Sequence, residues 1–353
     1  MHMEKRVTIQ DIADALGLSR NTVSKAINNS GGLADSTRDA ILQKAVEMGY
    51  KQFSYVSAMT GASFTDSENR NSLSFDKKEI ALLTASSITN NSHFAGPMMD
   101  KFTKEISQMG LHLVSYRVTK NSIDNLTLPR AFMKENTLAV MCIEIFDQAY
   151  SEMICTLGLP VLFVDCPPVL NGRGLNADVL LMNNTSEITR FLHQKIEEGV
   201  KRVGFIGNYH HCQSFYERYL AFRAAMMLHG LPAEEKDIYS TESDNPDEIA
   251  RLLEEADDFP ELFICANDFV AVDAMLVLRS RGIAIPDEVK FMGFDDSPES
   301  RGFSPALSTV HIHTQAMAFS AIQLLIARIK EPSMEPRIVH VATDLILRES
   351  SGI

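Results

Sequence analysis

A short predicted helix near the N terminus carries side chains suited to reading DNA. Arg20 and Asn21 open this helix, and Thr22, Ser24 and Lys25 lie on its outward face. Arginine forms a bidentate hydrogen bond with guanine and asparagine does so with adenine, each contributing about 1–3 kcal/mol of discrimination. Hydroxyl groups and lysine suit phosphate oxygens, which fix the register of a protein on the duplex. These residues therefore predict binding to double-stranded DNA.

A second group of polar side chains follows the predicted strands of the larger C-terminal region. In open parallel sheets, ligands bind beyond the carboxyl ends of the strands. Carboxylates, amides and an arginine there suit the adjacent hydroxyls of a sugar, and a nearby aromatic ring suits stacking. The candidate effector-binding residues are Asn91, Ser92, His93 and Phe94 after the first strand, Glu144 after the third, Asp165 after the fourth, Arg218 in the helix after the fifth, Asn267 and Asp268 after the sixth, and Asp295 after the seventh.

Several of these positions also fit a purely structural role. Asp165 and Asn267 suit the capping of a strand-to-helix corner as well as they suit a ligand contact, since Asx residues favour such corners. His93 is equally consistent with an exposed loop. We expect Asp296 to order the loop after the last strand rather than to contact ligand.

The elements that must position the DNA-reading residues are three short helices. The stretch that begins at Thr8 has the pattern of a capping box, and Gly17 ends that helix. Ser19 is a good N-cap for a second helix from Arg20 to about Asn28, and a third is expected from about 35 to 48. Two helices joined by a short turn containing glycine form a helix-turn-helix. A small helical bundle with a solvated polar face is the structural alternative.

From Glu79 onward, short apolar strands alternate with amphipathic helices. This alternation predicts parallel sheets covered on both faces, and the length favours two doubly wound α/β subdomains. Strands are expected at 80–84, 111–116, 138–143, 161–164, 203–206, 262–266 and 289–293, and helices at about 95–109, 147–157, 185–198, 215–229, 246–256, 268–281 and 314–330.

The predicted domains follow from this pattern. They are a helix-turn-helix DNA-binding domain at 1–50, a polar hinge and linker at 51–78, and an effector-binding and dimerisation domain at 79–353. Within the last, the N-subdomain is expected at about 79–182 and 310–325, and the C-subdomain at about 183–309 and 326–353.

The charge of the chain is unevenly spread. The net charge is −13, yet residues 1–62 carry seven basic and six acidic side chains, so the remainder carries −14. An acidic body repels phosphate backbones, which confines the expected DNA contact to the N-terminal segment. No apolar run of about 18 residues is present, and the charged N-terminal residues do not resemble a signal peptide. The expectation is a cytoplasmic protein without a membrane span.

Signatures of catalysis and of metal binding are not found in the sequence. The five cysteines lack C-x-x-C spacing, and no G-x-G-x-x-G, Walker, H-E-x-x-H or G-x-S-x-G pattern occurs. His210 and His211 form a pair without a third ligand nearby in the sequence. We therefore expect a protein that is not an enzyme, with reduced thiols and with no cofactor or metal site.

The N-terminal stretch resembles the DNA-binding domain of the LacI/GalR repressor family. The residues that carry the resemblance are VTIQDIADALGLSRNTVSKAINNS at 7–30 and TRDAILQKAVEMGY at 37–50. Further stretches similar to the family follow in its order over about 345 residues, among them KRVGFIGN, ERYLAFRAAMMLHGL and PALSTVHI. The resemblance implies a homodimeric repressor of carbohydrate-utilisation genes on a palindromic operator. It also implies a sugar or related metabolite, bound between the subdomains, that switches operator affinity.

The resemblance also assigns roles to individual residues. It implies that Thr22, Ser24 and Asn28 contact phosphate, that Arg20, Asn21 and Lys25 read bases, that Thr8 and Tyr50 belong to the DNA-binding set, and that Arg218, Asn267 and Asp295 contact effector. Met59 falls where the family inserts a leucine from a hinge helix into the minor groove, and methionine can serve as such a wedge. Departures from the family are Gln52-Phe53 in place of Pro-Asn and Ala221 in place of glycine.

Two alternatives to a ligand-induced repressor follow from the sequence. A transport-associated sugar-binding protein has the same body fold, but it predicts a secretion signal and no helix-turn-helix. A regulator that needs a co-repressor ligand or a partner protein fits the sequence as well, because the sign of the effector response is not encoded in any single motif.

Overall fold

The computed structural model describes residues 7–27, 37, 40, 41, 44, 45, 48, 79–85, 94–241 and 246–352. It divides into two compact units, Met1–Asp76 and Lys77–Ile353. The predicted linker at 51–78 lies outside the described residues.

In the N-terminal unit, helix α1 (Ile9–Leu16) begins and ends as its sequence predicts. The Thr8 hydroxyl accepts a hydrogen bond from the Asp11 amide at 3.3 Å, and the Asp11 carboxylate accepts one from the Thr8 amide at 2.8 Å. This reciprocal pair satisfies two amides that the first turn of a helix leaves without partners. Gly17 ends the helix in a left-handed conformation at φ +64°. The predicted capping box is confirmed.

Helix α2 (Arg20–Ile27) follows after a short turn. The Ser19 hydroxyl accepts a hydrogen bond from the Thr22 amide at 3.0 Å, which confirms Ser19 as its N-cap. Of the third predicted helix, the described residues 37, 40, 41, 44 and 45 are helical. A small apolar core joins these elements through Ile12, Ala13, Val23, Ala26, Ile41 and Ala45.

The C-terminal unit alternates strands and helices along the chain. Its strands are β1 (Glu79–Thr84), β2 (His112–Arg117), β3 (Thr137–Ile143), β4 (Val161–Val164), β5 (Asp178–Met182), β6 (Val203–Ile206), β7 (Ile238–Tyr239), β8 (Leu262–Cys265), β9 (Lys290–Met292), β10 (Thr309–Ile312), β11 (Ile338–Val341) and β12 (Thr343–Ile346). Its helices are α3 (Ala95–Gln108), α4 (Lys120–Asp124), α5 (Gln148–Cys155), α6 (Ser186–Glu197), α7 (Gln213–Leu228), α8 (Pro246–Glu255), α9 (Asp268–Ser280), α10 (Pro298–Gly302) and α11 (Thr314–Lys330).

Two parallel sheets organise this unit, as predicted. The first has the order β11-β5-β4-β3-β1-β2 and the second the order β7-β6-β8-β9. Most of their strands are buried apolar runs because helices cover them: α3 and α11 pack together on the first sheet, and α8 and α9 on the second. The edge strands β2 and β11 are partly exposed. Strands β10 and β12 pair antiparallel where the chain passes between the two sheets.

The third and last crossing of the chain between the two sheets lies further along the sequence than the predicted boundary at 325/326. Helix α11 packs on the first sheet, and β11 pairs with β5 at the edge of that sheet, although the sequence placed 326–353 in the C-subdomain. The two elements are held there by Asp178, which begins β5.

Asp178 is a buried carboxylate held by two arginines. It is 1% exposed and accepts hydrogen bonds from Arg328 Nη2 at 2.8 Å, from the Arg337 amide at 2.8 Å and from Arg337 Nη2 at 3.1 Å. Burial alone would raise the pKa of Asp178, but the hydrogen bonds from the two arginines outweigh it, so the pKa lies below its usual value. These ion pairs join the end of α11 and the start of β11 to β5 of the first sheet.

Replacement of Asp178 by asparagine should destabilise the C-terminal unit by about 3–5 kcal/mol at pH 7, because it leaves two arginines without their buried partner. Since folding lowers the pKa of Asp178, its stabilising contribution is present above the unfolded pKa of about 3.9 and is lost as the pH falls through the folded value. Denaturant unfolding of wild type and Asp178→Asn should therefore converge in strongly acidic buffer. The exposed Asp287, changed to asparagine, is the matched control, and equal stability of Asp178→Asn and wild type at pH 7 would contradict this account.

Candidate functional site at the junction of the two sheets

Arg218, in the second turn of α7, is a buried charge that touches both sheets. Its side chain is 2% exposed. The Nε atom donates to Asn184 Oδ1 at 3.0 Å, beyond the end of β5 in the first sheet, and Nη1 donates to the Ala266 carbonyl at 2.6 Å, directly after β8 in the second. Nη2 lies 3.9 Å from Asp295 Oδ1, an ion-pair distance that is too long for a hydrogen bond. The guanidinium carbon lies 3.5 Å from the centre of the Phe294 ring.

Charge and burial oppose each other around this arginine. Burial lowers the pKa of Arg218 below its usual value, while the nearby Asp295, Asp165 and Asp268 oppose the shift. Burial raises the pKa of Asp295 to about 7; Arg218 opposes that rise, and Asp268 and Asp165 add to it. Asp295 therefore changes its charge near neutral pH, next to a cation that stays charged.

Three of the predicted carboxylates occupy left-handed backbone positions at the strand ends. Glu144 follows β3 at φ +58°, Asp165 follows β4 at φ +62°, and Asp295 lies three residues beyond β9 at φ +118°. Such conformations cost about 1–3 kcal/mol in residues other than glycine, and they concentrate at functional sites where surrounding contacts hold them. The backbone thus turns sharply at the same edge of the molecule in both sheets.

Asp165 joins the first sheet to the beginning of α7. Its Oδ1 atom accepts hydrogen bonds from the Cys166 amide at 2.8 Å and from the Ser214 amide at 3.2 Å. The Gln213 amide donates to the Cys166 carbonyl at 2.8 Å. Burial raises the pKa of Asp165, although these hydrogen bonds and Arg218 oppose the rise. The capping role that the sequence left open for Asp165 is therefore realised at the first turn of α7.

Asn267 and Asp268 have structural partners at the start of α9. Asn267 is the N-cap, and its Oδ1 accepts a hydrogen bond from the Val270 amide at 3.0 Å. Asp268 is 0% exposed and accepts hydrogen bonds from Thr309 Oγ1 at 2.6 Å and from the Ser297 amide at 2.8 Å. Burial raises the pKa of Asp268 to about 6. The position of Asp268 corrects its prediction as a ligand contact, since one oxygen binds the loop that carries Asp295 and the other binds the start of β10.

Asp296 orders that same loop, as predicted. Its carboxylate accepts a hydrogen bond from Arg301 Nη2 at 2.6 Å, binds the Arg348 guanidinium and lies 3.0 Å from His311 Nδ1. The neighbouring Asp295 amide donates to the Val310 carbonyl at 2.9 Å, which fixes the loop against β10. Two adjacent aspartates thus have different environments, one inside a basic cluster and one at the Arg218 guanidinium.

Two of the remaining predicted effector residues, Phe94 and Glu144, are described by the structure. Phe94 is half-buried at the start of α3, where its carbonyl accepts a hydrogen bond from the Met98 amide at 3.1 Å. Glu144 is half-buried after β3. The predicted residues Asn91, Ser92 and His93 lie outside the described residues.

Asn184 is a site residue that the sequence analysis missed. It is buried, donates to Ser214 Oγ at 3.2 Å and to Glu217 Oε2 at 2.9 Å, and accepts from Arg218 Nε. It orients the arginine from the first sheet. The signal that could have found it is its place just after β5, a strand that the sequence analysis did not predict.

A series of rings that the sequence analysis did not select leads from the first sheet to Arg218. The Phe146 and His211 ring centres are 4.7 Å apart, the His211 and Phe215 centres 5.3 Å apart, and the Arg218 guanidinium carbon lies 5.4 Å from the Phe215 centre. His211, Phe215 and Arg218 are close together in the sequence, whereas Phe146, which follows β3, is brought to them only by the fold.

In the N-terminal unit, the predicted DNA-reading residues lie on α2. Arg20, Asn21 and Lys25 are exposed, and Thr22 and Ser24 are half-buried. Thr8 holds the start of α1, as described above. The predicted DNA contacts Asn28, Tyr50 and Met59 lie outside the described residues.

Comparison with known proteins finds a matching family model in each of the two units. Residues 8–52 match the model of bacterial regulatory proteins of the lacI family, and residues 192–351 match that of a periplasmic binding protein-like domain. The chain thus combines a LacI-family helix-turn-helix domain with a periplasmic-binding-like domain. It is a DNA-binding transcriptional regulator, as the resemblance implied.

Individual LacI-family relatives match over the whole length. The HTH-type transcriptional regulator GalR of Lacticaseibacillus casei is 27% identical over 98% of this chain and 99% of its own. The probable HTH-type transcriptional repressor ExuR of Bacillus subtilis is 25% identical over 98% of both chains.

Solved structures share the LacI-family fold. A complex of the transcriptional regulator CelR with cellobiose matches with a TM-score of 0.66 and 21% identity, over 98% of this chain and 100% of its own. The lac repressor dimer bound to operator and the anti-inducer ONPF matches with a TM-score of 0.62 and 16% identity, over 98% and 99%. Within the part of the chain that the structure describes, no helix is long and apolar enough to cross a membrane.

The environment of Asp295 predicts a particular dependence of stability on pH. Since folding raises the pKa of Asp295 to about 7, the folded state holds a proton that the unfolded chain has lost above about pH 4. The contribution of this group is therefore fully present below the unfolded pKa and is lost as the pH rises through 7. In denaturant unfolding, the free energy of unfolding of Asp295→Asn should rise relative to that of wild type by at least about 1 kcal/mol between pH 5.5 and pH 8.

The exposed Asp257, changed to asparagine, provides the control for this measurement and should follow wild type at every pH. A stability difference between Asp295→Asn and wild type that is constant across this range would show that Asp295 is ionised in the folded protein throughout.

Proposed function

We propose that the chain is a cytoplasmic, homodimeric repressor of carbohydrate-utilisation genes whose operator affinity is switched by a sugar or related small metabolite. The effector is bound at the junction of the two sheets. The observation that carries this proposal is the Arg218–Asp295 pair, which faces the carboxyl edges of both sheets. We assign the protein a role in binding and give it no catalytic step.

The Arg218–Asp295 pair suits a hydroxyl group. The 3.9 Å between Nη2 and Oδ1 leaves each atom able to turn to a ligand atom that lies beside both. A hydroxyl donates one hydrogen bond and accepts others, so it can donate to the Asp295 carboxylate while it accepts from the Arg218 guanidinium. Adjacent hydroxyls on a sugar provide several groups of this kind. The CelR–cellobiose complex, which has the same fold, supports a sugar as the ligand class.

The other effector contacts follow from position. Asn267 is half-buried beside Ala266, whose carbonyl binds Arg218, so we assign its amide nitrogen to the ligand. Phe94 and Glu144 would contribute a ring and an acceptor from the first sheet. We assign Asp165 and Asp268 to support of the site, since their oxygens already hold α7 and the Asp295 loop.

Switching requires that the effector favour one arrangement of the two sheets over another. Helix α7 provides the connection: its first turn is bound to the first sheet through Asp165, and its second turn carries Arg218, which is bound to the second sheet through Ala266. A ligand that changes the contacts of Arg218 thereby acts on the joint between the subdomains. Coupling of about 1–3 kcal/mol is typical of such switches.

DNA binding is assigned to α2. Its exposed first residues, Arg20 and Asn21, occupy the part of a recognition helix that meets base edges in the major groove. Two copies of the helix, held by a homodimer, would read the two halves of a palindrome.

Replacement of Arg20 by alanine should remove about 1–3 kcal/mol of preference at one base position of the operator, because a bidentate contact with guanine is lost. Selection of bound DNA from a random pool, at a fixed salt concentration, measures this preference. Ser24→Ala is the comparison: loss of a phosphate contact should weaken binding to all sequences alike. Uniform weakening by Arg20→Ala would place Arg20 on the backbone instead.

Replacement of Arg218 by methionine should abolish the effector response and leave operator binding intact, since the long apolar chain fills the buried site without offering a donor. The measurement is operator affinity with and without a sugar that acts on wild type. Arg223→Met, at a partly exposed position on the same helix, is the matched control and should keep the response. If Arg218→Met still responds, the effector binds elsewhere.

A further inference from the structure

We infer that the effector carries no negative charge: the site selects a neutral polyhydroxylated ligand and rejects phosphorylated and acidic sugars. This inference rests on the proposed function and adds the charge of the ligand to it.

The first reason is the occupation of the Arg218 guanidinium by the protein itself. Arginine recognises carboxylate and phosphate through two parallel N–H donors. Here Nε donates to Asn184 and Nη1 donates to the Ala266 carbonyl, and Nη2 faces the Asp295 carboxylate. The Phe294 ring covers one face of the guanidinium at 3.5 Å. An incoming anion would have to share the only buried guanidinium of the described site with Asp295.

The second reason is that the first amides of α7 are already hydrogen-bonded within the protein. The first amides of a helix, together with its dipole, form a ready site for an anion. In this protein the Ser214 amide is bound to the Asp165 carboxylate at 3.2 Å, and the Gln213 amide is bound to the Cys166 carbonyl at 2.8 Å. An internal carboxylate therefore takes the place that a ligand phosphate would use.

The third reason is the balance of charge around Arg218. Asp165, Asp268 and Asp295 all interact electrostatically with the guanidinium, and Glu217, one residue before it, is mostly buried and bound to Asn184 at 2.9 Å. Three carboxyl groups thus act on one guanidinium, and a fourth binds Asn184, which orients it. Repulsion from Asp268 and Asp165 already raises the pKa of Asp295, so a further anion would meet a site that is short of positive charge.

Hydrogen-bond chemistry also favours a neutral ligand over an acidic one. An ionised aspartate is an acceptor only, and so is the carboxylate of an acidic sugar. The two cannot satisfy each other, whereas a hydroxyl or an amide nitrogen can donate to Asp295. A site built to receive donors strongly rejects an analogue that lacks them, because its buried acceptors are then left without partners.

Matched pairs of sugars test this inference on the full-length protein. Binding is measured by calorimetry and by the shift in thermal unfolding at pH 8, with glucose, galactose, cellobiose and lactose as neutral probes. The charged probes are glucose 6-phosphate, galactose 6-phosphate, glucuronate, galacturonate and inorganic phosphate. Glucuronamide and galacturonamide are the controls for size, since each replaces the carboxylate of its acid by a neutral carboxamide that can also donate hydrogen bonds. We expect at least one neutral sugar to bind, its acid and phosphate forms to bind at least tenfold more weakly, and the amide to bind better than the acid.

A variant links this preference to the carboxylate in question. Asp295→Asn should weaken binding of the neutral sugar and should reduce the ratio of the amide's affinity to the acid's affinity at least threefold. Asp257→Asn, at an exposed position, should change neither affinity. An acid or phosphorylated sugar that binds more tightly than its neutral counterpart, or protection by inorganic phosphate, would overturn the inference and leave the proposed sugar effector standing. If no sugar of either charge binds, the proposed function fails and the inference fails with it.

Discussion

A guanidinium buried between two sheets is the constraint on which the site depends. Removing a charged side chain from water costs several kcal/mol unless hydrogen bonds and opposite charges compensate it. Arg218 obtains that compensation from Asn184 after β5, from the carbonyl of Ala266 after β8, and from Asp295 in the loop after β9. Those partners come from both sheets, so the cost of burying one charge is met only when the two subdomains are assembled. The same requirement fixes where a ligand can find hydrogen-bonding groups.

The main layers of this fold were predictable because continuous apolar runs mark buried parallel strands. The strands that were not predicted are β5, β7, β10, β11 and β12, of which β5 and β11 belong to the first sheet. Strand β5 begins with the charged Asp178, whose burial depends on Arg328 and Arg337, far away in the sequence. Strand β11 lies at the sheet edge with alternating exposed residues, so it lacks the continuous apolar run that marks a buried strand. Both errors concern residues whose partners are distant, and the misplaced subdomain boundary follows from them.

The candidate site was predicted in outline for a related reason. Parallel strands all end at one edge, so polar residues after strands were selected correctly as a group, and Arg218 and Asp295 do meet. Their individual environments were not predictable, because Asp165, Asp268 and Asp295 have the same side chain and similar positions after strands. Only the folded structure separates them: Asp165 caps α7, Asp268 holds a loop, and Asp295 faces the guanidinium. Asn184 was not predicted because β5, the strand that precedes it, was not predicted.

The different contacts of these aspartates explain how a small ligand can act on the assembly of two subdomains. Ser214 and Arg218 lie within little more than one turn of α7. Ser214 binds Asp165 at the end of the first sheet, and Arg218 also binds the carbonyl of Ala266 at the end of the second. Under the proposed function, a ligand hydroxyl that changes the contacts of Arg218 acts on this joint, because the packed interior around it transmits strain. The strained backbone at Glu144, Asp165 and Asp295 places this joint where contacts, rather than local preference, hold the chain. A site with these properties senses ligand at the point where the subdomains are joined.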